Sequence, residues 1–330
     1  MNQEPLLRVE HLKVWYPVKG GLISHTVGHV HAVDDVSFDI EAGTTLGLVG
    51  ESGCGKSTIG RQIVGLEKPT EGSIRYQGLE LTTASSQEIA AIRTELQMVF
   101  QDSYSSLNPK KHIYQLLADP MIHHGLVSRR NAEAEVDRLL DLVGMPKTAK
   151  NRYPHEFSGG QRQRIVIAKA LSLRPKMVVC DEPVSALDVS IQAQILNLFR
   201  NLQEELGLSY LFIGHGLGAV NYVSDRIAVM YLGQLVEIAD AKELFRNPVH
   251  PYTRALCDAV PVPDPTVRDD HGITLKGEVT SQINVSGGCR FCSRCPFAQD
   301  SCANAACELV PITSGSTHLC ACPIVGKEEL

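Results

Sequence analysis

Gly50-Glu51-Ser52-Gly53-Cys54-Gly55-Lys56-Ser57, with Thr58 after them, fit the pattern G-x-x-x-x-G-K-[ST]. The chemistry this spacing suits is the cradling of phosphate. Glycines let backbone N–H groups curl around phosphate oxygens where a side chain would block the approach. Lys56 is placed to reach the β- and γ-phosphates of a nucleotide, and the Ser57 hydroxyl can ligate Mg²⁺. A helix starting at Lys56 presents its positive end to the same anion. The bland reading, a glycine-rich turn, is disfavoured by the strand-like run before the loop and the helical spacing after it. Cys54 lies near that helix N-terminus, where a thiol pKa can be lowered. The simpler account is a small residue that fits.

A second candidate is Met177–Cys180 followed by Asp181-Glu182, an apolar strand ending in two carboxylates. In phosphoryl transfer the first such acid commonly holds Mg²⁺ and the second orients the attacking water. Alone the pair is ambiguous, because strand-end carboxylates are often merely solvated; beside a phosphate loop it gains weight. A third feature is compositional. Of the 10 cysteines only Cys54, Cys180 and Cys257 precede residue 280, and seven crowd between Cys289 and Cys322.

Between these lies Phe157-Ser158-Gly159-Gly160-Gln161-Arg162-Gln163-Arg164. Here the sequence resembles the ATP-binding cassette family, whose signature loop is this Ser-Gly-Gly-Gln segment. The resemblance runs from roughly Leu7 to Ala259. It implies an α/β P-loop NTPase fold: a RecA-like parallel sheet core, an antiparallel β subdomain and a helical subdomain at about 103–158. It also implies roles for single residues: Tyr16 stacking on adenine, Gln101 as the sensor-loop glutamine and Mg²⁺ ligand, and Asp181 on Mg²⁺. Glu182 becomes the general base, His215 the switch histidine, and Ser185, Ala186, Leu187 and Asp188 the dimer loop. Each ATP would lie between one subunit's phosphate loop and the other's Ser158, Gly159, Gly160 and Gln161. Where the family usually shows Ser-His-Asp, this chain has Gly214-His215-Gly216, which predicts slower hydrolysis; Ser103 replaces a common proline.

Three stretches are similar to the oligopeptide/dipeptide/nickel importer ATPases: Val99–Pro109, Arg152–Phe157 and Asn247–Leu256. The tail, Gly288-Cys289-Arg290-Phe291-Cys292-Ser293-Arg294-Cys295-Pro296 with Cys302 and Cys322, resembles the C-terminal cysteine region of the same subunits. That implies a [4Fe–4S] cluster on Cys289, Cys295, Cys302 and Cys322. Cys292, Cys307 and Cys320 are extra thiols, and a four-cysteine Zn²⁺ site is the rival. The implied partners are a second, different cassette subunit, two membrane permeases and an extracytoplasmic substrate-binding protein. The transported substrate is left open among dipeptides, longer peptides, glutathione and nickel. A soluble ATPase with a metal-binding tail is the competing class.

The elements that must position these residues follow from periodicity. Leu6–Val14 and Asp34–Ile40 alternate as half-buried antiparallel strands, with Lys19–Gly28 reading as a loop between them. Thr44–Val49, Leu96–Phe100, Lys176–Cys180, Ser209–Ile213 and Arg226–Tyr231 read as strands. Lys56–Leu66, Gln87–Arg93, much of Ile113–Met145 and Val189–Leu206 read as helices. Such alternation implies a parallel sheet. Pro261, Pro263 and Pro265 read as a linker, giving a nucleotide-binding domain over 1–259 and a cysteine-rich extension over 260–330. With 330 residues, 43% hydrophobic and a net charge of −6, the chain can bury a real core and carries no global positive field for nucleic acid. No apolar run approaches bilayer length and no signal-like h-region opens the chain. The expected place is the cytoplasmic face of the inner or plasma membrane, peripheral, docked on other subunits.

Overall fold

The computed structural model describes residues 4–20, 25–260, 283, 285 and 287–324. In chain order the elements begin β1 (Leu7–Gly20), β2 (His25–Ile40), β3 (Thr45–Val49), α1 (Lys56–Ile63), β4 (Glu71–Tyr76) and β5 (Leu79–Glu80). Next come α2 (Ser86–Ile92), β6 (Leu96–Val99), α3 (Ile113–His123), α4 (Ala132–Leu142), α5 (Gly159–Leu171), β7 (Met177–Asp181), α6 (Val189–Leu206) and β8 (Ser209–Gly214). The rest are α7 (Leu217–Val223), β9 (Arg226–Tyr231), β10 (Gln234–Asp240), α8 (Ala241–Arg246), α9 (Pro251–Asp258), β11 (Val310–Pro311) and β12 (Leu319–Cys320).

Two compact units emerge. The first comprises the described residues of 1–39, 46–82 and 214–330. It holds an antiparallel sheet in the order β2-β1-β4-β5, with Leu7 opposite Tyr76 and Val9 opposite Ile74. Along β1 Leu7 and Val9 are buried with period 2, and so are Leu12 and Val14 beyond an irregularity between Glu10 and Lys13 that shifts the alternation by one residue. A second strand series runs β11-β12-β10-β9-β3. In it β3 is parallel to β9, and all five β3 residues are buried, the continuous apolar run of a strand covered on both faces.

The second unit comprises residues 40–45 and 83–213. Its strands lie parallel in the order β8-β7-β6. Phe199 on α6 stands edge-on to Tyr210 and Phe212 of β8, with ring centroids 5.5 and 5.6 Å away. The predicted helical region holds α3, α4 and short 3₁₀ turns at Lys147–Asn151 and Pro154–Glu156. Its apolar face, Leu117, Met121, Val136, Leu139 and Leu140, is buried.

One expectation is overturned. Of Lys19–Gly28, the residues described are strand, because β1 and β2 run on to Gly20 and from His25. The residues there are mostly exposed or half-buried, so the ladder rather than a buried face maintains them, and no hydrophobic alternation marks them in the sequence. The linker prolines Pro261, Pro263 and Pro265 lie outside the described residues.

The cysteine-rich tail adds to the first unit as sheet. Leu319 and Cys320 pair antiparallel with Ile238 and Glu237 of β10, and the Ala321 N–H donates to the Val236 carbonyl at 2.9 Å. The junction is fixed by a buried carboxylate. Glu237 is 0% exposed; it accepts the backbone N–H groups of Val249 and His250 at 2.8 Å each and His318 Nε2 at 2.7 Å. Three donors compensate its desolvation. Glu237→Ala leaves all three without this acceptor. It is expected to destabilise the chain by about 3–5 kcal/mol, read as a lowered urea midpoint.

Candidate functional site

In the first unit β3 delivers the chain into the loop at Gly50, and Gly55 caps α1 at its N-terminus with φ 111°. The loop is pressed against neighbouring main chain. A Cβ on Gly50 would strike the Met230 carbonyl, and one on Gly55 the Ala32 carbonyl. Only glycine fits at either place. Lys56 is 4% exposed; its Nζ donates to the carbonyls of Gly50 at 2.8 Å and Glu51 at 2.9 Å. The ammonium thus spans the loop, and the helix end and backbone N–H groups complete an anion-binding cradle.

Burial pushes the Cys54 thiol above its ordinary range, with nearby Lys56 opposing. The helix N-terminus does not activate it. It is a space-filling residue at 3% exposure. Ser52, Gly53, Ser57 and Thr58 occupy the same loop and first turn.

Tyr16 is half-exposed near the outer part of β1, and its hydroxyl donates to Glu67 at 2.6 Å. Burial, then that bond, raises its pKa. Its neighbour Trp15 stacks on His31 at 4.4 Å and donates through Nε1 to Asp34 at 3.2 Å. His215 stands exposed between β8 and α7, and Gly216 caps α7 without a side-chain bond. A Cβ at Gly216 meets open space, whereas one at Gly214 would lie 2.7 Å from Val220 Cγ2.

In the second unit, β7 ends on Asp181, buried at 5% exposure. Glu182 follows with φ 46°, a left-handed conformation that costs a non-glycine residue energy and tends to occur where function requires it. Its N–H donates to the Ile213 carbonyl at 3.0 Å, and its Oε2 accepts from Gln101 Nε2 at 3.0 Å. The fold therefore joins two predicted residues that are far apart in sequence. Ser185 Oγ donates back to the Glu182 carbonyl at 3.0 Å, so the predicted dimer loop is tied to the same carboxylate residue. Asp188 then caps α6, its carbonyl accepting from the Gln192 N–H at 2.8 Å.

The Ser-Gly-Gly-Gln segment begins α5. Ser158 and Gln161 form a reciprocal capping box, with Ser158 N–H to Gln161 Oε1 at 3.1 Å and Gln161 N–H to Ser158 Oγ at 3.4 Å. Gly159 and Gly160 are the first two helical residues, so the segment offers a helix N-terminus beside Leu187 and Ile191.

Among the tail cysteines, Cys289 donates its backbone N–H to the Cys302 carbonyl at 2.9 Å. A hydrogen bond with Cys307 and then burial push the Cys289 thiol up to about 12. Burial, then the charges of Cys289, Cys322 and Cys302, push Cys295 up to about 11. None of the seven is joined to another in a disulfide. Among the described residues, no three His, Cys, Asp or Glu side chains are gathered as a metal-holding group. The donor chemistry suits a soft centre, while the side chains as placed do not form a closed cage.

Sequence reasoning missed the residues around Glu51. Its N–H donates to the Tyr252 hydroxyl at 3.0 Å, and its carboxylate takes Arg294 Nη1 at 2.9 and 3.1 Å. The only signal was an unexplained acidic residue inside an anion-binding loop.

The match to known proteins covers both regions. Residues 33–185 match the ABC transporter family, and residues 236–302 match the oligopeptide/dipeptide transporter C-terminal region. The chain is 49% identical to the oligopeptide transport ATP-binding protein AppF of Bacillus subtilis over 91% of this chain and 92% of that protein. It is 47% identical to the oligopeptide transport ATP-binding protein OppF of Escherichia coli, over 96% and 94%. Among solved structures, the ATP-binding cassette MJ0796, in a dimeric post-hydrolysis state bound to ADP and Pi, superposes with a TM-score of 0.63. The identity is 26%, over 71% of this chain and 98% of that one. A phosphate loop with its lysine, a Gln–Glu pair beyond β7, a capped Ser-Gly-Gly-Gln helix and these matches agree: the chain belongs to the ABC transporter ATPases, in the branch of the oligopeptide transport ATP-binding proteins.

Proposed function

We propose that this chain is the ATP-hydrolysing subunit of an importer for di- and oligopeptides. It pairs with a second, different cassette subunit on the cytoplasmic face of the membrane. There it drives two permeases that receive substrate from an extracytoplasmic binding protein. The Gln101–Glu182 hydrogen bond carries the hydrolytic part of this reading. The match of residues 236–302 to the transporter C-terminal region supports the peptide part. Among the described residues no helix is long and apolar enough to cross a membrane, so the reading assigns translocation to the permeases. Residues 1–259 are the nucleotide-binding domain and 260–330 the extension.

The roles follow from chemistry. Tyr16 stacks on adenine, and the Gly50–Thr58 amides hold the phosphates. Lys56 exchanges its bonds to the loop carbonyls for β- and γ-phosphate oxygens. Bound Mg²⁺ neutralises phosphate charge, and Ser57, Asp181 and Gln101 supply the hard oxygen donors that suit it. Glu182 accepts the proton of the attacking water, with the Gln101 amide orienting its carboxylate. His215 contacts the γ-phosphate. Ser158, Gly159, Gly160 and Gln161 close over the partner's nucleotide with their helix N-terminus, and Ser185–Asp188 line the subunit boundary.

The tail is assigned a structural [4Fe–4S] centre on Cys289, Cys295, Cys302 and Cys322. The crowding of seven cysteines between Cys289 and Cys322 and the soft-donor chemistry of their thiolates support it. No hydrolytic step uses it.

Glu182→Gln is expected to keep ATP binding and lower phosphate release by the assembled complex roughly 10²–10⁴-fold, with an ATP-stabilised closed dimer seen by size-exclusion chromatography. Wild-type turnover would end the assignment. Gly216→Asp places a carboxylate in open space beside His215. It is expected to raise turnover roughly tenfold, the scale of one hydrogen bond to a charged group, about 1.5 kcal/mol. Gly214→Ser, crowding Val220, should instead lower the melting temperature. Anaerobic purification followed by elemental analysis is expected to give iron and sulfide in equal amounts with broad visible absorption. Stoichiometric zinc without sulfide would replace the cluster by a Zn²⁺ site.

A further inference from the structure

The cysteine-rich segment meets the phosphate loop through side chains outside the cassette motifs. Arg294 ends the 3₁₀ turn Cys292–Arg294 and is 9% exposed. Its Nη1 donates to both Glu51 oxygens and also to the Tyr231 hydroxyl at 3.3 Å. Its Nε is buried without a hydrogen-bond partner. The guanidinium is therefore not in its own best environment, as buried donors normally are. Its bonding is directed to Glu51 and Tyr231.

Glu51 is held at three separate points. Its carboxylate takes Arg294, its N–H goes to Tyr252, and its carbonyl takes Lys56 Nζ. A tail arginine and the phosphate lysine thus share one residue.

Arg290 makes a second arm. It donates to the Leu232 carbonyl and to Asp34. The adjoining Gly233 N–H donates to the Cys54 carbonyl inside the loop at 2.9 Å. Asp34 in turn holds Trp15, next to Tyr16. Between the arms Phe291 is 1% exposed. Its ring lies 5.2 Å from Tyr231, 5.5 Å from Tyr252 and 5.7 Å from His250. The turn is anchored by an apolar plug and directs one cation toward each side of the loop.

We propose that Arg294 and Arg290 are positioning residues for nucleotide, and that the turn 289–295 is a brace whose order is coupled to ATP occupancy. The inference rests on Gly50–Thr58 being the phosphate-binding loop. The physical reason is charge. Glu51 carries a carboxylate into a loop that must receive polyphosphate, and Arg294 neutralises it while fixing the loop backbone. Without the arginine, the carboxylate repels the incoming phosphates and the loop loses a tether. Coupling is reciprocal: nucleotide that orders the loop also orders the turn.

The test uses the full chain, purified anaerobically, with fluorescent ATP-analogue binding and hydrogen exchange of residues 289–296. Arg294→Met is expected to weaken nucleotide affinity roughly tenfold, and Arg294→Lys to restore most of it. Glu51→Gln added to Arg294→Met is expected to recover affinity, because the unpaired charge is gone. In the wild-type chain, analogue should slow exchange of 289–296, and in Arg294→Met it should not. Should Arg294→Met fail to fold, Glu51→Gln carries the test: nucleotide protection of 289–296 should fall in it too. Wild-type affinity in Arg294→Met, no rescue by Glu51→Gln, or tail exchange indifferent to nucleotide overturns the brace. Lys56→Ala separates the two readings: retained binding there defeats the phosphate-loop assignment, whereas binding lost there and unchanged in Arg294→Met defeats the brace alone.

Discussion

A loop that holds phosphate by backbone N–H groups must keep side chains out of its concave face, and this constraint organises the first unit. Gly50 and Gly55 meet it by lying against the carbonyls of Met230 and Ala32, so β9 and β2 must approach to main-chain distance. Such an approach needs rigid strands on either side. The buried run Thr45–Val49 in parallel register with β9 provides one. The loop has little strength of its own, and its shape derives from what stands behind it. Lys56, tied to two loop carbonyls, completes the arrangement from within.

The second unit meets a different requirement, which is to aim one carboxylate. Glu182 sits just past a fully buried strand, in a backbone conformation that few residues adopt. Its main chain is tied to Ile213 and Ser185, and its side chain to Gln101. The strain is compensated by those bonds. Ser158 and Gln161 use the same economy, satisfying the first turn of α5 through each other. That leaves the Gly159–Gly160 end of the helix uncluttered.

Much of this was legible because phosphate chemistry fixes residue types at short spacing. The loop, the Asp181-Glu182 strand end and the signature are each contiguous, and apolar runs such as Met177–Cys180 report their own burial. What could not be read depended on distant partners. Glu237 lies in a strand where its charge argues for an outward position, yet it is 0% exposed because Val249, His250 and His318 converge on it. The ends of β1 and β2 lack alternation because little there is buried. The Arg294–Glu51 pair joins residues 243 positions apart, and no local pattern reveals which cation answers which acid. Cys54 was readable as reactive or inert, and only its burial decides.

The pairing of β12 with β10 has a consequence for biosynthesis. A ribosome delivers Leu319 long after Asp240, so the edge of β10 must wait, unpaired, while the intervening chain is made. A nascent strand edge in that state is a template for promiscuous pairing. A message truncated before Cys320 would yield a product with its loop and carboxylates intact but this edge exposed. Pairing of Leu319 and Cys320 with Ile238 and Glu237 covers that edge.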